Sequence, residues 1–139
     1  IDVHVAIAPV ASATAAAAFY ARLLGESAVE PRDGYAYVRV PSGLRLAVVE
    51  RAALRKTFGD VAFGPAAFAF NVATAAGVDA SFKAFLAAGG TAVLAPRGRS
   101  NGGRVATVAD PDGNMFEIAW SKTTTFDARG GVASYGDRR

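Results

Sequence analysis

The residues of this chain that could do chemistry are few. Histidine occurs once, as His4, and cysteine does not occur. Glu117 stands on a predicted strand shortly after the turn Asp110-Pro-Asp-Gly-Asn114. An imidazole and a carboxylate can each bind a divalent metal ion, and a carboxylate whose pKa is raised by burial can act as a general base. Glu117 is therefore the candidate catalytic residue.

The composition is typical of one folded globular domain, with 139 residues, 52% of them hydrophobic and 19% charged. A chain of this length can bury a core without a metal ion or a disulfide, so any metal would serve function. The absence of cysteine excludes thiolate nucleophiles and zinc–sulfur sites. It also gives no reason to assign an oxidising compartment, so we expect a cytoplasmic protein.

The patterns of charge and hydropathy argue against a nucleic-acid partner and against a membrane-spanning segment. The net charge of +3 comes from arginines scattered along the chain and from Arg138 and Arg139, and not from one cluster, so we expect no nucleic-acid partner. The apolar stretches are short and interrupted, so we expect no membrane span.

The periodicity predicts a strand, a helix and three strands, and then the same series again. The first series is a strand at 3–10, a helix at 13–24 and strands near 27–31, 35–41 and 44–50; the second is a strand at 67–72, a helix at 77–88 and strands near 91–96, 104–109 and 114–120. Ser12 or Thr14 can cap the first helix, which Gly25 ends, while Gly89-Gly90 ends the second.

This repeat predicts an α+β fold, with two βαβββ modules forming a concave mixed sheet around a cleft and the helices on the outer face. A single domain would span 1–121, with modules at 1–50 and 66–121 and a looser linker at 51–65. The tail, 122–139, lacks periodicity, so we expect it to be disordered or to pack on a partner.

Strand alternation sorts side chains between the two faces of each strand. It places Met115 and Glu117 together on one face of the last strand, and Tyr35 and Tyr37 together on one face of their own strand. The tyrosines can stack on a flat ligand if that face lines the cleft, or they are ordinary surface aromatics. The residues predicted to bind a ligand are Ile7, Tyr35, Tyr37, Ala69, Asn71, Met115 and Glu117.

Glu117 and the stretch 97–104 each have a second interpretation. Instead of acting as a base, Glu117 can form an ion pair with an arginine such as Arg39 or Arg45. The stretch 97–104, Arg-Gly-Arg-Ser-Asn-Gly-Gly-Arg, lacks the ending of a phosphate-binding loop and does not open a helix. It predicts a mobile rim over the cleft that can contact an acidic group.

With its two modules and two motifs in this order, the chain resembles members of the vicinal oxygen chelate superfamily. This superfamily includes glyoxalase I, extradiol dioxygenases, fosfomycin-modifying enzymes and bleomycin-binding resistance proteins. The motifs are Phe19-Tyr20 with Leu24-Gly25, and the turn 110–114 with Glu117. The resemblance covers roughly residues 3–121. It implies a divalent metal ion held by the first and last strands of each module, and a homodimer, as in many relatives.

The sequence departs from the superfamily at the implied metal positions. Glu117 matches the carboxylate ligand, but the corresponding positions elsewhere hold Ala47 and Ala67. On the first strand, His4 takes the ligand position only if Pro9 marks a one-residue bulge; without a bulge Val5 takes it. Since a catalytic metal normally needs three firm protein ligands, we predict a degenerate metal site and no required cofactor.

The predicted function is binding of an apolar or planar organic molecule in the cleft without an essential metal ion. The first alternative is a divergent metal-dependent lyase or dioxygenase in which His4 and Glu117 are partial metal ligands. The second is a structural or regulatory dimer whose cleft is filled by side chains. The cleft is built either within one chain or between two chains.

Overall fold

A computed structural model describes residues 4–60 and 62–136, so the first residue of the predicted strand 3–10 and the basic terminus, Arg138 and Arg139, lie outside the described residues. The elements, in chain order, are β1 (Val5–Val10), α1 (Ala13–Leu24), β2 (Val29–Arg32), β3 (Tyr35–Arg39), β4 (Arg45–Glu50), α2 (Arg51–Phe58), β5 (Ala67–Asn71), α3 (Ala75–Ala88), β6 (Thr91–Gly98), β7 (Arg104–Ala109), β8 (Met115–Trp120), β9 (Thr125–Phe126) and β10 (Val132–Ser134).

Two four-stranded sheets repeat one topology. Their strand orders are β1-β4-β3-β2 and β5-β8-β7-β6. In each sheet the first strand pairs in parallel with the last strand of its module, and the other neighbours are antiparallel. The predicted α+β fold of two βαβββ modules is confirmed.

The helices begin and end where local chemistry favours it. The Ser12 side chain accepts a hydrogen bond from the N–H of Ala15 at the start of α1. Helix α3 begins two residues before its predicted start, because Thr74 accepts from the N–H of Gly77. Within the described residues, no helix combines the length and the apolar character that crossing a lipid bilayer requires.

Helices α1 and α3 cover one face of the two sheets and share one core. Phe19 of α1 lies 6.2 Å from Phe85 of α3, measured between ring centroids. Phe85 also contacts Phe116 of β8, and the rings of Phe116 and Phe70 are parallel, 5.1 Å apart. Phe68 and Phe70, which alternate with Ala67 and Ala69 along β5, pack against this core.

The segment 51–65, expected to be a looser linker, begins with helix α2. Leu54 is the one residue of α2 that is fully buried. With eight residues the helix is shorter than the window of roughly 11–18 residues over which helical periodicity is assessed, so periodicity did not reveal it. Alanine, leucine, arginine and lysine nevertheless favour a helix here, and Gly59, with a φ of 80°, ends it.

The tail was expected to be disordered or to pack on a partner, but its described part folds onto its own chain. Strands β9 and β10 form a hairpin, and the Asp127 carboxylate accepts from the N–H groups of Arg129 and Gly131 in its turn. At the other end, the Thr123 hydroxyl donates to the carbonyl of Tyr135. Strands of two and three residues are too short to show a period in the sequence.

Candidate functional site

Each four-stranded sheet has a face that points away from α1 and α3. We call it the first open face in the first module and the second open face in the second module. In the first module Ile7, Ala47 and Tyr37 stand side by side across three strands of this face. Val5 and Ile7 are 41% and 40% exposed. Tyr35 contacts Tyr37 edge to face at 5.3 Å, so both predicted tyrosines lie on the open face and an aromatic surface is present there.

The pairing of β1 with β4 determines which residue takes the first metal position. The register runs from Val5–Arg45 to Val10–Glu50 without a shift, so no bulge forms at Pro9. Val5 therefore shares the open face with Ile7, and alternation places His4 on the opposite face with Ala6. The bulged arrangement that would turn His4 towards the cleft is not formed.

Glu117 lies at the centre of the second open face. Its strand neighbours are Ala69 on one side and Thr107 on the other. Its Oε2 accepts a hydrogen bond of 2.9 Å from Nη2 of Arg99. Because both side chains are well exposed, 38% for Arg99 and 44% for Glu117, this pair remains accessible to a ligand.

The arginines expected to pair with Glu117 are engaged elsewhere. Arg39 forms an ion pair with Glu30, and the Arg45 guanidinium lies 5.4 Å from the centre of the Tyr37 ring. The actual partner, Arg99, comes from the stretch 97–104. No periodic signal links a loop arginine to a strand carboxylate, so the sequence pointed only to an arginine near this carboxylate.

A cavity of about 370 Å³ surrounds Glu117. The lining comes from the second module alone and consists of Leu94, Arg97, Gly98, Arg99, Ser100, Asn101, Val105, Ala106, Thr107 and Glu117. The stretch 97–104, predicted to form a rim, contributes five of these residues, although Arg97 and Gly98 belong to the end of β6. The structure does not bring all the predicted ligand-binding residues together. Glu117 lies in this cavity, and Met115 is exposed at the start of β8. Ala69 and Asn71 line a second cavity, and the first open face holds the others, Ile7, Tyr35 and Tyr37.

The residues at the metal positions do not fit a metal ion held by three protein ligands. Val5, Ala47 and Ala67 offer hydrocarbon side chains, which leaves Glu117 as the one donor among the four positions. Across residues 4–60 and 62–136, histidine, aspartate and glutamate side chains do not form any group of three that could hold a metal.

One buried polar group was not predicted, and it lies away from the open faces. Asp110 is 3% exposed and accepts a 2.8 Å hydrogen bond from the hydroxyl of Tyr20. Burial, and then the negative charge of Asp110, raise the pKa of Tyr20 well above its ordinary value. The turn that contains Asp110 explained this residue locally, so sequence reasoning missed its contact with α1.

Comparison with known proteins places this geometry in a family. The family model described as a glyoxalase-like domain matches residues 4–119. A glyoxalase-related enzyme from Fulvimarina pelagi is 27% identical, with a TM-score of 0.85 over 96% of this chain and 97% of that chain. The comparison with curated proteins gives no match.

Two more distant structures share the fold. A glyoxalase/bleomycin resistance protein/dioxygenase family enzyme from Burkholderia phytofirmans PsJN is 19% identical, with a TM-score of 0.73 over 86% of this chain and 98% of that chain. Lactoylglutathione lyase from Agrobacterium tumefaciens is 19% identical, with a TM-score of 0.70 over 87% of this chain and 94% of that chain. The chain therefore belongs to the glyoxalase-like domain family, within the vicinal oxygen chelate superfamily.

Proposed function

We propose that this chain binds a small organic molecule with a flat apolar body in the Glu117 cavity, without an essential metal ion. The observation that carries the proposal is the accessible Arg99–Glu117 pair on the open face. In the superfamily's metalloenzymes the carboxylate at this position binds the ion. Here an arginine neutralises it instead, and the other three metal positions carry no donor atom.

The cavity offers complementary polar groups beside apolar side chains. Arg99 has further N–H groups to donate, and the second carboxylate oxygen of Glu117 can accept. The hydroxyl of Thr107 lies on the neighbouring strand, while Leu94 and Val105 supply apolar surface. A ligand that presents both a donor and an acceptor can therefore bind the pair while its flat body covers the apolar side chains.

A homodimer completes the site in this proposal. Val5, Ile7 and Met115 are each about 40% exposed on the open faces, and a second copy of the chain would cover them. Such a copy would bring the Tyr35–Tyr37 pair of its first module to a ligand held by Glu117. The cleft would then be built between two chains.

A thermal-shift screen with planar aromatic compounds and antibiotics tests the proposal. We expect a subset of compounds to stabilise the wild type, and Glu117→Gln and Arg99→Gln each to lose that shift. Asp79→Asn is the matched control, because it breaks the ion pair with Arg104, whose residues do not line the Glu117 cavity. Equal shifts in all four proteins, or no stabilising compound, would contradict the proposal.

A further inference from the structure

A second cavity, of about 510 Å³, lies where the edge strands of the two sheets meet. Ala6 of β1 lines it on one side, and Phe68, Ala69, Phe70 and Asn71 of β5 line it on the other. Strands β1 and β5 belong to separate sheets, so no ladder of hydrogen bonds draws them together here. The small side chain of Ala6 leaves the space between them unfilled.

The tail hairpin forms part of the wall of this cavity. Gly130, Gly131, Val132 and Tyr135 line it from the tail, and the two glycines lie close to the β3–β4 turn at Pro41 and Ser42. The hydroxyl of Tyr135 accepts a hydrogen bond from the Asn71 amide at 3.4 Å, which is long for such a bond. This weak contact can be exchanged for one to a ligand, and the cavity size is within the range of small-molecule sites.

The side chains that line this cavity favour a ligand that is uncharged and aromatic. None of the fourteen described residues that line the cavity is charged. Phe68 stacks on Phe116 at 5.3 Å, and Phe70 stacks on the same ring at 5.1 Å, so part of the wall is a group of stacked rings. Burying an ion in such a space without a partner is costly, whereas a neutral flat molecule gains apolar contact.

We infer that the cavity between β1 and β5, lined on one side by the tail, is a second binding site for a neutral planar molecule with one hydrogen-bonding group. The Asn71 amide and the Tyr135 hydroxyl provide the polar contact, and the phenylalanine rings provide the apolar contact. This site and the Glu117 cavity share no lining residue, but they adjoin, because Ala69 of this site is the strand neighbour of Glu117. The tail would act as its cover.

Site-specific protection with a defined probe, the neutral dye Nile red, tests this inference. Because the chain has no cysteine, Ser42→Cys and Ser100→Cys each introduce a single thiol. Both serines are exposed; Ser42 lines the tail-covered cavity and Ser100 lines the Glu117 cavity. We expect saturating Nile red to slow alkylation of the thiol at position 42 by about tenfold, the reduction when roughly nine-tenths of the sites are occupied.

A pair of filling variants provides the second readout. Leu44 lines the tail-covered cavity, whereas Leu24 is exposed at the end of α1 and lines neither cavity. We expect Leu44→Trp to weaken Nile red binding by about tenfold or more, because the larger ring takes up space the dye needs, and Leu24→Trp to leave it unchanged.

The outcomes separate this inference from the proposed function. Protection at position 42, alone or together with position 100, supports the second site. Protection at position 100 alone overturns the second site and supports ligand binding in the Glu117 cavity. Absence of protection at both positions, or equal binding by the two tryptophan variants, also overturns the second site.

Discussion

The hydroxyl of Tyr20 donates a hydrogen bond of 2.8 Å to Oδ2 of Asp110, across 90 residues of sequence. The same carboxylate oxygen accepts from the Asn114 amide, which also donates to the carbonyl of Pro9. These groups join α1 and β1 of the first module to the turn before β8 of the second. The two motifs that carry the family resemblance therefore form one buried contact between the modules.

Removing the Tyr20 hydroxyl tests the strength of this contact. Tyr20→Phe should lower the free energy of unfolding by about 1–3 kcal/mol, because a buried carboxylate loses one hydrogen-bond donor. Urea denaturation measures the change. Tyr135→Phe, which removes an exposed hydroxyl, should change stability little; a loss of the same size in both variants would show that burial of the contact is unimportant.

The raised pKa of Tyr20 predicts a particular dependence on alkaline pH. The unfolded chain releases the tyrosine proton near its ordinary pKa of 10.0, while the folded chain retains it to higher pH. The stabilisation is thus fully present below about pH 10 and is lost as the pH rises above it. The stability difference between the wild type and Tyr20→Phe should shrink between about pH 9 and 11 in urea titrations. A constant difference across this range would contradict the assignment.

The junction of α3 and β6 should not tolerate a side chain at Gly90. A Cβ there would lie 2.9 Å from the carbonyl oxygens of both Phe85 and Ala109, which are backbone atoms and cannot easily move. Gly90→Ala should therefore lower the free energy of unfolding by about 1–3 kcal/mol. At Gly64 no described atom lies within 4 Å of the added Cβ, so Gly64→Ala is the control in the same denaturation experiment. Equal stability of the two variants would disprove the crowding.

The sequence predicted those features that are set by nearby residues. Ser12 caps α1 as one of the two expected residues, Gly25 and Gly89 end their helices, and alternation on β8 grouped Met115 with Glu117 on one face, which is the open face. These features depend on hydrogen bonds within one turn, on a positive φ, or on the period of a strand.

The sequence did not predict contacts between distant residues. Whether His4 or Val5 faces the cleft depends on the register of β1 against β4, which is fixed by backbone pairing across 40 residues. The Arg99–Glu117 pair depends on the path of a loop, and the position of the tail hairpin depends on its packing against Pro41. Each of these contacts joins residues that are distant in sequence, so only the tertiary structure reveals it.

Metal content is the most direct test of the claim that Glu117 serves a metal-free binding site. The purified wild type and Glu117→Ala are incubated with nickel, manganese, iron(II) or zinc, desalted and analysed for elements. We predict no stoichiometric retention by either protein, because the positions around Glu117 supply no second or third ligand. Stoichiometric retention by the wild type that Glu117→Ala abolishes would contradict this and favour a metal-dependent lyase or dioxygenase.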